Sequence, residues 1–257
     1  MEPRPYTNGD GPSPVDHAGQ PLDCKTCPVP IDHPDVRCAL YYACREDRYA
    51  PRIARFFKQN PHLGDDTLEH PYFEVRAIAA RYANIFRLRS LLHDPDETVR
   101  MSVAMRVPRR ILTDLCEDPH REVRIRVAQR LAAADLIKLR DDEDYYVRAL
   151  VARRIPLNHL AIMAQDADPQ VRLEVARRLP TDKLGSLVHD PEPLVRRLVA
   201  QRCQSNHFHT LANDLDWSVR WEIAGRAEGP LLDQLSEDQD REVSSRARVR
   251  RAALLDP

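Results

Sequence analysis

The chain of 257 residues is long enough for one large domain or two small ones. Hydrophobic residues make up 42% of it and charged residues 31%, a high charged fraction that favours an elongated array with many exposed faces. The 39 basic and 40 acidic side chains give a net charge of −1, which argues against a protein dominated by nucleic-acid binding but allows local basic stripes.

Residues 1–22 are predicted to form a flexible N-terminal segment. They contain no apolar stretch typical of a secretory signal, and no stretch of the chain approaches the roughly 20 apolar residues that span a bilayer. We therefore expect a cytoplasmic protein with no membrane partner. Because thiols stay reduced in the cytoplasm, clustered cysteines there more often bind metal than form disulfides.

Residues 23–63 are predicted to form a metal-binding segment with capping helices. Its prolines and short apolar runs cannot build a core alone, so a metal centre would organise it. Positions six apart on a helix do not share a face, so Cys38 is expected before a helix and Cys44 within it. The candidate ligands are four closely spaced cysteines: Cys24, Cys27, Cys38 and Cys44.

Three states of these cysteines compete. Four thiolates suit a tetrahedral zinc ion, and they equally suit an iron–sulfur cluster. Free or disulfide-bonded cysteines are the third possibility. The spacing alone does not separate zinc from iron–sulfur, although the Cys27-Pro28 step favours the cluster slightly. His33 is an alternative ligand but is interpreted as a loop residue, and Cys116 and Cys203 are interpreted as buried small hydrophobes of the repeats.

Residues 64–257 are predicted to contain eight repeats of 24 residues. A valine recurs with this spacing and without insertion, and in seven copies an arginine follows it. Aspartates five residues before the valine, some followed by proline, predict a capped helix start. The repeat valines are Val75, Val99, Val123, Val147, Val171, Val195, Val219 and Val243.

Each repeat is predicted to contain one longer and one shorter helix. Apolar residues four, five and eight positions after the valine cover one arc of the longer helix, as in Val103, Ala104 and Val107. Leucines three apart, such as Leu112 and Leu115, then predict a 3₁₀ or very short α-helical segment. The degenerate first and last copies are interpreted as caps.

Two columns of arginine follow the same period. One lies beside the repeat valine, and the other begins at Arg106 and lies at the edge of the apolar arc. We interpret them as ladders in which each arginine pairs with a capping aspartate or a helix-end carbonyl of a neighbouring repeat. The alternative is that the columns bind an extended anion such as RNA, DNA or an acidic protein.

The unit from Asp94-Pro95 to Arg106 resembles HEAT-type repeats in its second half. The 24-residue length, the short leucine-rich half and the preceding cysteines closely resemble leucine-rich repeat variant proteins with a 4Fe–4S cluster. The resemblance implies an all-α, right-handed superhelical solenoid of alternating α- and 3₁₀-helices without β-strands. It also implies a 4Fe–4S cluster on Cys24, Cys27, Cys38 and Cys44.

The favoured function is an interaction scaffold with a redox-active or redox-sensing cluster and a protein partner on the concave repeat surface. Four cysteine ligands leave no iron open to substrate, and the chain lacks the common catalytic motifs, so we do not expect an enzyme. Arg37, Arg45 and Arg48 are predicted to stabilise the reduced cluster. The alternative function is a nucleic-acid-binding array that uses the arginine columns, with a purely structural metal site.

Overall fold

The computed structural model describes residues 11–29 and 34–255. Within those ranges the chain is helical, and its extended backbone pairings are two isolated bridges, Val15 with Pro21 and Ala39 with Ala43. The chain forms two compact units, and the boundary between them lies between residues 132 and 133. None of the helices in the described ranges combines the length and the hydrophobicity that a bilayer crossing requires.

Unit 1, residues 1–132, contains the cysteine segment and the first repeats. Its α-helices are α1 (Ala50–Gln59), α2 (Phe73–Ala79), α3 (Glu97–Ala104) and α4 (Arg121–Arg130). Its 3₁₀ segments are Pro61–Leu63, Asp65–Thr67, Arg87–Leu91 and Arg109–Leu115.

Unit 2, residues 133–257, contains the remaining repeats. Its α-helices are α5 (Tyr145–Ala152), α6 (Leu157–Leu160), α7 (Pro169–Arg178), α8 (Pro193–Arg202), α9 (Phe208–Leu211), α10 (Trp217–Ala224), α11 (Gly229–Ser236) and α12 (Arg241–Leu255). Its 3₁₀ segments are Ala133–Leu139, Ala161–Gln165, Thr181–Leu187 and Ser205–His207.

The alternation of a longer α-helix with a tight segment confirms the helical pattern read from the period. In the α3 repeat the side chains of Val99, Val103 and Val107 are fully buried, as is Leu112 of the following 3₁₀ segment. Each such side chain contributes about 1.5–3 kcal/mol by leaving water. The short segments are not uniform, because the one in the last repeat is the eight-residue α-helix α11.

The predicted helix start is wrong by two residues. Helix α3 begins at Glu97, and its N-cap is Asp96, which accepts a hydrogen bond from the Thr98 amide at 2.8 Å. The periodic Asp94 instead accepts from the Asp96 amide at 3.0 Å, in an Asx-turn that precedes the helix. Asp144, Asp168 and Asp216 take the same N-cap position in unit 2.

The periodic aspartate has a second function, because it binds the arginine column. In α7, Arg172 Nε and Nη2 donate to the two carboxylate oxygens of Asp190, at 2.7 and 2.9 Å, and Nη1 donates to the Asp166 carbonyl. Bidentate pairing of this kind is strong and geometrically specific. The same ion pair recurs within the units as Arg76–Asp94, Arg100–Asp118, Arg148–Asp166, Arg196–Asp214 and Arg220–Asp238.

The second arginine column binds main-chain carbonyls at the end of the preceding α-helix. Arg106 donates to the Ala80 carbonyl at 2.8 Å, and Arg178 donates to the Ala152 carbonyl at 2.7 Å. These carbonyls have no partner within their own helix, so the arginines satisfy them. The two arginine columns therefore form the predicted ladders, one to aspartates and one to helix-end carbonyls.

Candidate metal centre

The loop that carries Cys24 and Cys27 is shaped by Asp23. The Asp23 side chain accepts from the Lys25 amide at 2.9 Å, and its carbonyl accepts from the Thr26 amide at 3.2 Å. This is the local hydrogen bonding with which aspartate stabilises a turn. The turn places two cysteines three residues apart on one loop, as the spacing predicts.

Cys38 and Cys44 flank a second turn, which spans residues 39–43. The Ala39 and Ala43 backbones exchange hydrogen bonds at 2.8 Å in both directions, and the Cys38 thiol lies 3.3 Å from the Ala43 carbonyl. The expectation that Cys44 lies within a helix is wrong, because α1 begins only at Ala50. The turn, rather than a helix, brings the two thiols together.

Helix α1 holds this turn through a buried arginine. Arg52, 1% exposed, donates to Asp47 Oδ2 at 2.8 Å, to the Tyr41 carbonyl at 3.2 Å and to the Pro12 carbonyl at 2.7 Å. The Arg52 carbonyl accepts from the Cys44 amide at 3.3 Å. One side chain therefore fixes the N-terminal segment and the Cys44 turn to α1.

Asn60, the C-cap of α1, holds the other end of the site. Its side chain accepts from the Arg37 amide at 2.7 Å and donates to the Arg37 carbonyl at 2.8 Å, which fixes the residue before Cys38. Asn60 is fully buried, so these bonds are shielded from water. Neither Arg52 nor Asn60 was a candidate in the sequence, where each is one polar residue in or beside an amphipathic helix.

A cavity of about 190 Å³ opens between the two turns. Cys24, Cys27 and Cys44 line it, together with His17 and Glu46. Cys38 is hydrogen-bonded to Cys44, so all four predicted cysteines belong to one locality. The predicted alternative ligand, His33, lies outside the described residues.

The thiols influence one another. The hydrogen bond between Cys38 and Cys44 lowers the pKa of Cys38 and raises that of Cys44. Burial raises the pKa of Cys24 and Cys27, and the neighbouring Cys44 raises both further. Four sulfurs crowded in this way favour a cation or a positively charged cluster core that would stabilise their thiolates.

The three arginines expected to stabilise a cluster have different surroundings. The charge of Arg45 lowers the pKa values of Cys27 and Cys38, and its Nε donates to Glu46 Oε1 at 2.7 Å. Arg37 and Arg48 are exposed, and their backbones make the contacts that link them to the site. Arg45 is therefore the arginine among the three whose charge acts on the thiols.

Four cysteine thiolates are a donor set of the kind that holds an iron–sulfur cluster. Across residues 11–29 and 34–255, no group of three or more His, Cys, Asp or Glu side chains is arranged closely enough to hold a metal ion. The thiols of Cys24, Cys27 and Cys44 line one cavity, and Cys38 interacts with Cys44. A cluster takes one cysteine at each of its irons. Cys116 and Cys203, by contrast, are buried among apolar residues of the repeats.

Comparisons with known proteins agree with this site. The family described as LRV protein FeS4 cluster matches residues 14–66, which include all four cysteines. The family described as leucine rich repeat variant matches residues 169–192, a stretch of 24 residues. An iron–sulfur cluster region and a leucine-rich variant repeat are thus recognised in the same chain.

Two individual proteins are similar. A solved structure described as a leucine-rich repeat variant with a novel repetitive structural motif is 41% identical, with a TM-score of 0.83 over 89% of this chain and 98% of that one. An uncharacterized 27.7 kDa protein of Rhodobacter capsulatus, from the nifB 3′ region, is 48% identical over 99 residues. That match covers 38% of this chain and 40% of the relative. By the solved structure and the family matches, the chain belongs to the leucine-rich repeat variant family, whose iron–sulfur segment it carries.

Proposed function

We propose that the protein binds a 4Fe–4S cluster through Cys24, Cys27, Cys38 and Cys44 and acts as an interaction scaffold with a redox-active or redox-sensing cluster. The observation that carries this proposal is that Cys24, Cys27 and Cys44 line one cavity between two short turns, with Cys38 interacting with Cys44. When bound, the cluster supplies a one-electron site. The chain supplies the four thiolates and the charge of Arg45 beside them.

Partial exposure of the site supports a redox role over a purely structural one. Cys24, Cys27 and Cys38 are half-buried, and the cavity opens to solvent beside them. A cluster near the surface can exchange electrons with a partner or react with an oxidant, and exposure is one of the properties that set cluster potentials. With cysteine on every iron there is no open coordination site, so the proposed function is not catalytic.

The repeats support a scaffold function. Stacked repeats present extended surfaces that bind partner proteins. The nucleic-acid alternative depended on free arginine columns, yet the guanidiniums of these columns bind aspartates and carbonyls, as Arg100 binds Asp118 and Arg106 binds Ala80. We therefore favour a protein partner. Because clustered thiols that bind metal are typical of a reducing compartment, we also favour a cytoplasmic protein.

The test is reconstitution of the purified full-length chain with iron and sulfide under anaerobic conditions. We expect about four irons and four sulfides per chain and a visible absorbance that dithionite bleaches. Replacement of any of the four site cysteines by serine should reduce the cluster content strongly. Replacement of Cys116 by alanine is the matched control, because this thiol lies in the repeat core.

Three results would contradict the proposal or a part of it. A colourless protein that holds one zinc ion would exclude the cluster. Equal cluster content in the Cys38→Ser and Cys116→Ala variants would exclude the proposed ligand set. A cluster that forms but neither accepts an electron nor reacts with oxygen would support the proposed binding site and exclude the redox function.

A further inference from the structure

A second cavity lies on the α-helical face of unit 1 and shares no lining residue with the cysteine site. It has a volume of about 560 Å³ and is lined by three arginines, two methionines and two hydroxyl residues. Its residues come from the turn after α2, from α3 and the turn after it, and from α4. No carboxylate lines it, so its lining is positively charged with an apolar floor.

Two of the three arginines are available to a ligand. Arg106 is engaged, because its Nη1 donates to the Ala80 carbonyl. Arg126 donates to the Gln129 side chain at 3.2 Å, which is a neutral partner. Arg81 is exposed, and its charge acts on Glu74 of α2, but Glu74 does not line the cavity. Arg81 and Arg126 therefore line the cavity, and no carboxylate lines it with them.

The equivalent face of unit 2 is neutralised within the chain. Arg153 Nη2 and Arg177 Nη1 both donate to Glu174 Oε1 at 2.9 Å, and Glu174 is only 7% exposed. Glu174 follows Arg153 by 21 residues, and the residue that follows Arg81 by the same number is Ser102. The period of the repeat thus places a serine in unit 1 where unit 2 has the neutralising glutamate.

The floor of the cavity indicates what kind of ligand it fits. Met101 and Met105 line the cavity together with the arginines, and Met105 is 52% exposed. Methionine is flexible and polarizable, so exposed methionines suit surfaces that accept varied apolar side chains. Aromatic side chains, on which nucleic-acid bases stack, are absent from the lining. An apolar floor between positive charges complements a peptide that carries carboxylates beside an apolar residue.

We propose that this cavity binds an acidic peptide segment of a partner protein. Its carboxylates contact Arg81 and Arg126, and an apolar side chain covers Met101 and Met105. The proposal rests on the scaffold function proposed above and gives the partner surface a location and a chemistry. Ser102 keeps the site open, because a carboxylate at this position would occupy Arg81 as Glu174 occupies Arg153.

The test measures binding of a fluorescein-labelled peptide of alternating glutamate and leucine to the full-length, cluster-loaded chain, by fluorescence anisotropy at low salt. We expect salt-sensitive binding that weakens about ten-fold in Ser102→Glu and about ten-fold in Arg126→Ala, as loss of a charged hydrogen-bonding partner implies. Arg87→Ala, which removes an exposed arginine outside the cavity, is the matched control and should bind like the unmodified chain.

Circular dichroism of each variant shows whether it is folded, and Arg126→Ala tests the proposal if Ser102→Glu fails to fold. Unchanged peptide affinity in the folded variants, or no binding at low salt, would overturn the proposal. Tighter binding of a single-stranded oligothymidylate of equal charge, lost in the same variants, would replace the peptide by nucleic acid. The cluster absorbance separates the two proposals, since its absence contradicts the cluster function and not this surface.

Discussion

Arg172 of one repeat and Asp190 of the next form a bidentate ion pair in which both side chains are almost fully shielded from water. The two hydrogen bonds measure 2.7 and 2.9 Å, and the hydrogen bond to Asp190 raises the pKa of Arg172. Asp190 also accepts from the Glu192 amide at 2.9 Å, in the turn that precedes α8. The pair therefore joins consecutive repeats and shapes the turn before α8.

Replacement of Arg172 by alanine should destabilise unit 2 by about 3–5 kcal/mol, because it leaves the buried Asp190 carboxylate without its counter-charge. Urea unfolding followed by circular dichroism measures this. Arg140→Ala is the control, since its pair with Asp141 lies at the surface and its loss should leave the midpoint close to that of the unmodified chain. Equal midpoints for Arg172→Ala and Arg140→Ala would contradict a stabilising ladder.

Acid should weaken the N-cap of α10. The hydrogen bond from the Ser218 hydroxyl, at 2.5 Å, lowers the pKa of Asp216. A lowered pKa in the folded state stabilises the fold above the unfolded value of about 4, and this stabilisation is lost as the pH falls through the folded value. Ser218→Ala should cost about 1 kcal/mol at pH 7 and progressively less below pH 4.

Urea midpoints of the Ser218→Ala variant at several pH values between 7 and 3 test this. Ser186→Ala is the control, because the Ser186 hydroxyl donates to the Lys183 carbonyl and has no ionisable partner. A Ser218→Ala deficit that stays constant down to pH 3 would mean that the hydroxyl does not act through the carboxylate of Asp216.

A larger side chain at Gly64 should destabilise unit 1 for a reason that the repeat pattern does not show. A Cβ at this position would meet the Ala83 nitrogen at 2.8 Å and the Tyr82 carbonyl carbon at 3.1 Å, both backbone atoms that cannot move alone. We expect Gly64→Ala to destabilise unit 1 by about 1–3 kcal/mol. Gly185→Ala is the control, since its Cβ would meet the movable His207 ring.

A thermal melt of the two glycine variants makes the comparison directly. Gly64→Ala should melt below the unmodified chain, and Gly185→Ala should melt close to it. Gly64 stands where six of the other repeats have leucine and one has Phe208, so the sequence indicates only a degenerate end repeat. Equal melting temperatures for the two variants would show that the backbone near Ala83 adapts to the extra methyl group.

The repeats were predictable because their signals are local and recur. Buried positions such as Val99 and Val103 follow the 24-residue period, so the residues that predict the helices of a repeat all lie within that repeat. The exact helix start was not predictable, because Asp94 and Asp96 are both plausible caps. What separates them is a partner 18 residues earlier, Arg76, which binds the first and leaves the second to cap α3.

The cysteine site was predictable only in its ligand types. The spacing of the four cysteines indicates one metal centre, and a pair such as Cys24 and Cys27 is expected on one loop. The supporting contacts carry no such pattern, because the partners of Arg52 lie 5, 11 and 40 residues away. A side chain that joins distant segments once, without repetition, leaves no periodic trace.

Arg52 should therefore control the cluster site without being a ligand. Arg52→Ala leaves Asp47, which is 0% exposed, without its ion pair and frees the Pro12 and Tyr41 carbonyls. We expect reconstituted Arg52→Ala to hold much less iron per chain, while the circular dichroism signal of the repeats stays close to that of the unmodified chain.

Arg48→Ala is the control, because its side chain is exposed and its backbone makes the contacts to Val15 and Tyr72. Arg52→Lys should retain more iron than Arg52→Ala, since lysine keeps the charge beside Asp47 but not the fork that reaches both carbonyls. Full iron content in Arg52→Ala would show that the four cysteines organise the site without support from α1.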